Sequence, residues 1–157
     1  MSPNPLYLAG PTASGKTARA VEFARRHDAE IVCADPFQLF EALPLLTARP
    51  TPAECGGVPH HLYGTLPADA PMDAARFRTL AKPLIDRLVV EGRRVIVVGG
   101  SGLYLKALTH GLDDLPAGDP ALRAELEARP LTELVGELEA LDPASAASVD
   151  LRNPRRV

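Results

Sequence analysis

The chain has 157 residues, of which 46% are hydrophobic, and its formal net charge is −3. This length and composition suit one globular domain with an ordinary core. No apolar run is long enough for a membrane span or for the apolar part of a signal peptide. We therefore predict a cytoplasmic protein that does not bind membranes.

Cysteine and histidine usage argues against disulfide bonds and metal clusters. Cys33 and Cys55 are the only cysteines and form no C-x-x-C pair, which indicates two reduced thiols. A zinc site built from Cys55, His60 and His61 would lack a fourth ligand. The adjacent histidines could instead touch a phosphate, although we favour structural hydrogen bonds for this pair.

Three apolar runs predict parallel strands: Leu6 to Ala9, Glu30 to Ala34, and Arg94 to Val98. They do not alternate with polar residues, as is typical of a sheet covered on both faces, so we expect a buried sheet. Residues 36–71 are rich in proline and have few periodic apolar positions. We predict that this segment is an excursion toward a substrate rather than packed structure.

Helical patterns separate and follow these runs. One helix is predicted from Lys16, with Ala20, Phe23 and Ala24 on its apolar face, and another covers Met72 to Glu91. Helical spacing also appears within residues 113–150, where acidic side chains outnumber basic ones. The order predicts a three-layer α/β core over residues 1–112 and a small helical subdomain over residues 113–150.

A phosphate-binding motif lies between the first strand and the first helix. The residues that fit the template G-x-x-x-x-G-K-[ST] are Gly10, Pro11, Thr12, Ala13, Ser14, Gly15, Lys16 and Thr17. The helix N-terminus would favour a di- or triphosphate, Lys16 would neutralise phosphate charge, and the Thr17 hydroxyl would bind Mg²⁺. This context predicts a P-loop NTPase-like fold.

Polar residues follow the other two strands. Asp35 and Gln38 come after the second strand, and a glycine-rich turn with Ser101 follows the third. Because the carboxyl ends of parallel strands meet, we expect one shared site. Asp35 could hold Mg²⁺ or a hydroxyl in a phosphotransferase, act as a base in an alkyl transferase, or cap a turn. Ser101 could instead cap the following helix.

Five motifs in order carry a resemblance to a known family. They are GPTASGKT at residues 10–17, CADPFQ at 33–38, TARP at 47–50, VPHHL at 58–62 and GGSGLYLK at 99–106. Together they resemble the tRNA dimethylallyltransferases, also called tRNA isopentenyltransferases. In that comparison residues 113–150 resemble the family's helical insertion, and residues 151–157 resemble its return to the core, so we expect a chain truncated at its C-terminus.

The resemblance implies a reaction. A dimethylallyl group would pass from dimethylallyl diphosphate to the exocyclic N6 of an adenosine next to the anticodon of a tRNA. The loop of residues 10–17 would grip the diphosphate, with Lys16 and a Thr17-bound Mg²⁺ stabilising charge on the leaving group. Asp35 would take the proton from the adenine amino group.

The resemblance also implies partners and contact residues. The positions that match adenosine or tRNA contacts are Asp35, Pro36, Phe37, Gln38, Ser101 and Arg123. We expect a monomer that binds dimethylallyl diphosphate and the anticodon stem-loop of tRNA. Three alternatives stay open: an adenylate isopentenyltransferase acting on free AMP or ATP, a small-molecule P-loop kinase that binds ATP, and an inactive diphosphate-binding remnant.

Overall fold

The computed structural model describes residues 4–42, 44–112 and 118–157. The chain divides into two compact units, Met1–Asp113 and Asp114–Val157. The first unit contains a parallel sheet whose strands are Leu6–Ala9 (β1), Ala29–Cys33 (β2), His60–His61 (β3) and Arg94–Gly99 (β4). The predicted α/β fold is confirmed.

Seven helices are described, four in the first unit and three in the second. They are Lys16–His27 (α1), Pro52–Cys55 (α2), Ala74–Val90 (α3), Gly102–Thr109 (α4), Pro120–Glu127 (α5), Leu131–Leu141 (α6) and Pro143–Ser148 (α7). Side-chain oxygens of aspartate start several of them: Asp73 caps α3, Asp119 caps α5 and Asp142 caps α7. The predicted subdomain limits, 113–150 and 151–157, stay predictions.

The strands lie in the order β1-β4-β2-β3, and all neighbouring pairs are parallel. Alternate residues of β4 enter two different cores, because successive side chains of a strand point to opposite faces. Val95 and Val97 pack in the cluster that contains Phe77 of α3. Ile96 and Val98 pack in the cluster that contains Ala20 and Ala24 of α1. Helices therefore cover both faces, which gives three layers.

Two sequence expectations about burial are wrong. The sheet is not buried throughout, because β1 lies at an edge of the sheet and Leu6 is 46% exposed. The apolar face of α1 consists of Ala20, Val21 and Ala24, whereas Phe23 is 40% exposed. Phe23 packs its ring against His27 one turn later on the same helix instead, with ring centroids 4.2 Å apart.

The expectation that residues 36–71 are an unpacked excursion is also wrong. This segment contains α2 and β3, and it contributes the buried side chains of Leu39, Val58 and Leu62. A two-residue strand has no periodicity to detect, and its pairing with Ile31 and Val32 of β2 is a tertiary contact. Isolated apolar residues in a proline-rich segment therefore joined the core without a sequence signal.

Candidate active site

The loop between β1 and α1 has the backbone geometry of an anion site. Ala13 and Gly15 are both left-handed, with φ of 62° and 76°, and the N–H of Ser14 donates to the carbonyl of Pro11 over 3.4 Å. Left-handed residues within such a turn aim backbone N–H groups into a concave surface that attracts anions. The N-terminus of α1 begins at Lys16, so its dipole adds to the same positive field.

Lys16 folds back over this loop. Its Nζ donates a hydrogen bond to the carbonyl of Pro11 over 2.5 Å. An ammonium held above the loop can exchange this carbonyl for a phosphate oxygen, which is a stronger charge-assisted acceptor. The neighbouring Thr17 lines the same pocket.

Asp35 follows the end of β2 and faces the same pocket. Its Oδ1 accepts a hydrogen bond from the backbone N–H of Phe37 over 3.0 Å, so the carboxylate does cap the turn. The cap uses one oxygen, and the half-buried side chain still lines the pocket together with Lys16. A turn cap and a functional carboxylate are therefore compatible at this position.

Cys33 supports Asp35 from below. Its Sγ accepts a hydrogen bond from the backbone N–H of Asp35 over 3.4 Å. Burial raises the pKa of the Cys33 thiol to about 12, so the group stays neutral. The thiol is a packing and positioning group rather than a nucleophile.

Gln38 and Arg49 attach a further segment, residues 44–49, to the pocket. Gln38 Nε2 donates to the carbonyls of Thr47 and Ala48 over 2.9 and 3.2 Å. Arg49 Nη1 donates to the carbonyl of Phe40 over 3.1 Å. The backbone N–H of Arg49 donates to the carbonyl of Pro44 over 2.9 Å. These bonds fix the segment beside Asp35.

A close approach of backbones brings the strand ends together. A Cβ on Gly99, the last residue of β4, would collide with the backbone of Ala34, the residue after β2. Glycine lets β4 and the chain leaving β2 approach closely, so that the end of β4 lines one pocket together with the loops after β1 and β2. This is the physical reason for glycine at position 99, the first residue of the second glycine-rich turn.

The resulting pocket has a volume of about 510 Å³ and is formed by the first unit. It is lined by Thr12, Ala13, Ser14, Gly15, Lys16, Thr17, Asp35, Phe37, Gln38, Leu46, Thr47, Ala48, Tyr63, Val98 and Gly99. The phosphate loop, Asp35 and Gln38 are therefore brought together, as expected for the carboxyl ends of parallel strands.

Other predicted site residues lie elsewhere. Gly10, Pro11 and Pro36 are not among the residues that line this pocket. Ser101 also lies outside the lining and is the N-cap of α4, where its Oγ accepts a hydrogen bond from the N–H of Tyr104 over 3.3 Å. Arg123 belongs to α5 of the second unit. Diphosphate binding by Gly10 and Pro11 stays a prediction, and so do the contacts of Pro36, Ser101 and Arg123 with adenosine or tRNA.

Sequence reasoning missed several apolar contributors to the pocket, among them Leu46 and Tyr63. Tyr63 follows the motif VPHHL, and the left-handed Leu62 before it, with φ of 65°, ends the short strand β3. Burial raises the pKa of the Tyr63 phenol, so it stays protonated. The signal for Tyr63 was its position directly after a recognised motif, whereas Leu46 gave none.

Both histidines of β3 serve the structure. His61 Nε2 pairs with Glu30 Oε2 over 2.6 Å, and Arg93 Nε pairs with the other oxygen of Glu30 over 2.6 Å. His60 Nδ1 lies 2.8 Å from the carbonyl of Val58. Within the described ranges, no group of three acidic, histidine or cysteine side chains could hold a metal ion. The hydrogen bonds of His60 and His61 agree with the structural interpretation of the pair.

A model of the family described as IPP transferase matches residues 38–157. The chain belongs to this family. In the part of this family member that the structure describes, no helix is long and apolar enough to cross a membrane.

Two similar curated relatives share one name. A tRNA dimethylallyltransferase of Rhizobium johnstonii is 46% identical over 158 residues, which cover 98% of this chain and 53% of the relative. The tRNA dimethylallyltransferase of Deinococcus radiodurans is 46% identical over 154 residues, which cover 96% of this chain and 50% of the relative. The chain thus spans about half the length of the curated relatives it matches.

Solved structures support the fold. The full-length tRNA isopentenylpyrophosphate transferase of Bacillus halodurans superimposes with a TM-score of 0.69 and 34% identity, covering 99% of this chain and 53% of that protein. A eukaryotic dimethylallyltransferase acting on tRNA gives a TM-score of 0.81 at 24% identity, covering 98% of this chain and 39% of that protein. The latter likeness concerns the fold alone. These matches confirm the P-loop NTPase-like fold.

Proposed function

We propose that the chain takes part in the transfer of a dimethylallyl group from dimethylallyl diphosphate to N6 of an adenosine next to the anticodon of tRNA. The observation that carries this proposal is that a phosphate loop and a carboxylate, Asp35, line one pocket. N-prenylation needs a site that binds the leaving diphosphate and a group that accepts the proton from the attacking nitrogen. The names of the relatives, tRNA dimethylallyltransferase, add support.

The donor end of the reaction belongs to the loop. Backbone N–H groups around Ala13 and Gly15 would bind the diphosphate, and Lys16 would move from the Pro11 carbonyl to a phosphate oxygen. The bond between carbon C1 of the donor and the diphosphate oxygen breaks in the transfer. Positive groups fixed at this end stabilise the charge that the departing diphosphate gains.

A magnesium ion fits this donor set. Mg²⁺ prefers oxygen ligands and is usually held by one or two protein groups plus substrate phosphates and water. The Thr17 hydroxyl lines the pocket and is a ligand of this kind. Thr17 would hold the ion against the diphosphate, and when bound the ion supplies charge neutralisation of the leaving group.

The acceptor end belongs to Asp35. A new bond forms between adenine N6 and donor carbon C1, and the proton released from N6 passes to the Asp35 carboxylate. The N–H of Phe37 holds Oδ1, which fixes the direction of the carboxylate before the substrate arrives. An adenine inside an RNA stack cannot reach such a pocket, so the base must leave its stack first. Phe37, Gln38 and the residues beside them would contact it.

The proposal is tested by binding and transfer measured separately. Asp35→Asn should lower transfer of labelled dimethylallyl to unmodified tRNA by roughly 10²–10⁴-fold and leave affinity for Mg²⁺-diphosphate nearly unchanged. Lys16→Ala should weaken that affinity by about 1.5–3 kcal/mol, the scale of hydrogen bonds to charged groups. The matched control is Lys82→Ala, because Lys82 pairs with Asp86 on α3 and does not line the pocket.

Other outcomes would redirect the assignment. A large loss of Mg²⁺-diphosphate affinity in Asp35→Asn would make Asp35 a metal ligand and favour a phosphotransferase. Transfer to AMP but not to tRNA would indicate an adenylate isopentenyltransferase. Binding without transfer to either acceptor would indicate a diphosphate-binding remnant. The cytoplasmic location and the monomeric state stay predictions.

A further inference from the structure

The pocket has an apolar side opposite in character to its phosphate loop. Phe37 and Leu46 both line it, and they are 69% and 80% exposed in the free chain. Neither side chain can bind a phosphate. When an apolar part of a ligand covers such a side chain, apolar surface leaves the water, and this burial favours binding.

Leu46 is held at the pocket by hydrogen bonds on both sides of it. The next two residues offer their carbonyls to Gln38, and the N–H of Ala48 donates to the carbonyl of Leu45 over 3.2 Å. The side chain of Arg49 attaches the end of the segment to the carbonyl of Phe40. These bonds fix the backbone that carries Leu46, so ligand binding has to order only the side chain and not the segment.

Phe37 and Leu46 differ in shape and therefore suit different parts of the substrates. Phe37 is flat and suits a purine ring, because bases stack on aromatic faces. Leu46 is branched and aliphatic and suits a branched hydrocarbon. We propose that Leu46 contacts the hydrocarbon group of an allylic diphosphate and so selects this donor over diphosphates that lack one. This inference rests on the proposed function, because it assumes that the loop holds the donor's diphosphate.

Calorimetry in Mg²⁺ with two ligands tests the inference. Leu46→Ser should weaken binding of dimethylallyl diphosphate by roughly threefold to thirtyfold, as expected for loss of a partly covered leucine, and should change binding of inorganic pyrophosphate by less than about twofold. Leu45→Ser is the matched control. Leu45 is the neighbouring leucine, 91% exposed, and does not line the pocket. Its replacement should change neither affinity.

Three results would overturn the inference. Equal weakening of both ligands would show that Leu46 supports the structure of the pocket. Unchanged donor affinity with a raised KM for the acceptor would place Leu46 against the acceptor. If the unsubstituted chain binds neither pyrophosphate nor dimethylallyl diphosphate, the donor site itself is wrong and the proposed function fails with it. Pyrophosphate binding therefore separates a failure of the site from a failure of the Leu46 assignment.

Discussion

Two carboxylates near opposite ends of β2 have contrasting surroundings. Glu30, near the start of the strand, is 7% exposed and pairs with His61 and Arg93. Asp35, just beyond the other end, takes a hydrogen bond from a backbone N–H and lines an open pocket. Both acids lie next to apolar residues of the sequence. The carboxylate of Glu30 is paired within the folded chain, whereas the carboxylate of Asp35 is accessible to a ligand.

Their pairing explains this difference. Burial alone would raise the pKa of Glu30, but hydrogen bonds and charge from His61 and Arg93 outweigh it and hold the pKa below its usual value. The charged form of Glu30 is therefore part of the stability of the fold. Among the described residues Asp35 forms no ion pair of this kind, and its location at the carboxyl end of the sheet is where ligands bind.

The largest expected effect of this contrast is on stability. Glu30→Gln should lower the free energy of unfolding by about 1.5–3 kcal/mol, because it weakens two hydrogen bonds to charged groups around a buried site. Asp35→Asn should change it by less than about 0.5 kcal/mol, since asparagine caps a turn as well as aspartate does. Urea denaturation at pH 7 measures both. Similar losses in the two variants would remove the contrast.

The same variant has a pH signature. The folded-state pKa of Glu30 lies below its ordinary value of 4.5, so its contribution to stability is present above that pH. The contribution is lost as the pH falls through the lowered folded-state pKa. The stability difference between the parent chain and Glu30→Gln should therefore shrink below about pH 4.5. A difference that is constant from pH 7 to pH 3 would contradict the ionised pair.

A smaller effect is expected at the connection that holds the pocket's outer segment. Gly64 is left-handed, with φ of 59°, and a Cβ there would overlap the guanidinium of Arg49. Gly64→Ala should lower the free energy of unfolding by about 1–2 kcal/mol because of the left-handed backbone. It should also displace Arg49, which would loosen residues 44–49 and weaken the binding of dimethylallyl diphosphate. Denaturation and calorimetry measure the two effects.

Gly57→Ala is the matched control for Gly64→Ala. Gly57 is also left-handed, with φ of 80°, but a Cβ there would meet nothing within 4 Å. It should show the backbone cost without the loss of affinity. If both variants bind the donor as tightly as the parent chain, the Arg49 connection does not position the pocket.

The carboxyl end of the sheet, where the pocket lies, was more predictable from sequence than the ion pairs of Glu30 near the start of β2. The bounds of β1 match the apolar run Leu6 to Ala9, and the motif of residues 10–17 marked the loop that lines the pocket. These signals are local, because a strand, a tight loop and a helix start follow each other directly in the chain. Asp35 was found for the same reason, since it follows a recognisable strand.

The partners of Glu30 could not be read from the sequence. His61 and Arg93 lie 31 and 63 residues further along the chain, and only the pairing of β2 with β3 and β4 brings them together. The same holds for Leu46, which reaches the pocket through hydrogen bonds made by Gln38 and Arg49. Contacts between distant residues depend on tertiary structure that periodicity does not encode.

The smallest effect expected is a difference in labelling that leaves the fold unchanged. Cys33 lies on β2 between the two acids, is fully buried and has a pKa raised to about 12. Cys55 is partly exposed, although burial also raises its pKa. Because the thiolate is the reactive form, iodoacetamide at pH 8 should label Cys55 slowly and Cys33 only after unfolding in urea. Peptide mass spectrometry identifies the site. Labelling of Cys33 in the folded chain at the rate of Cys55 would show that reagent reaches β2 next to Asp35. The contrast between a buried strand and an accessible carboxylate just beyond its end would then be lost.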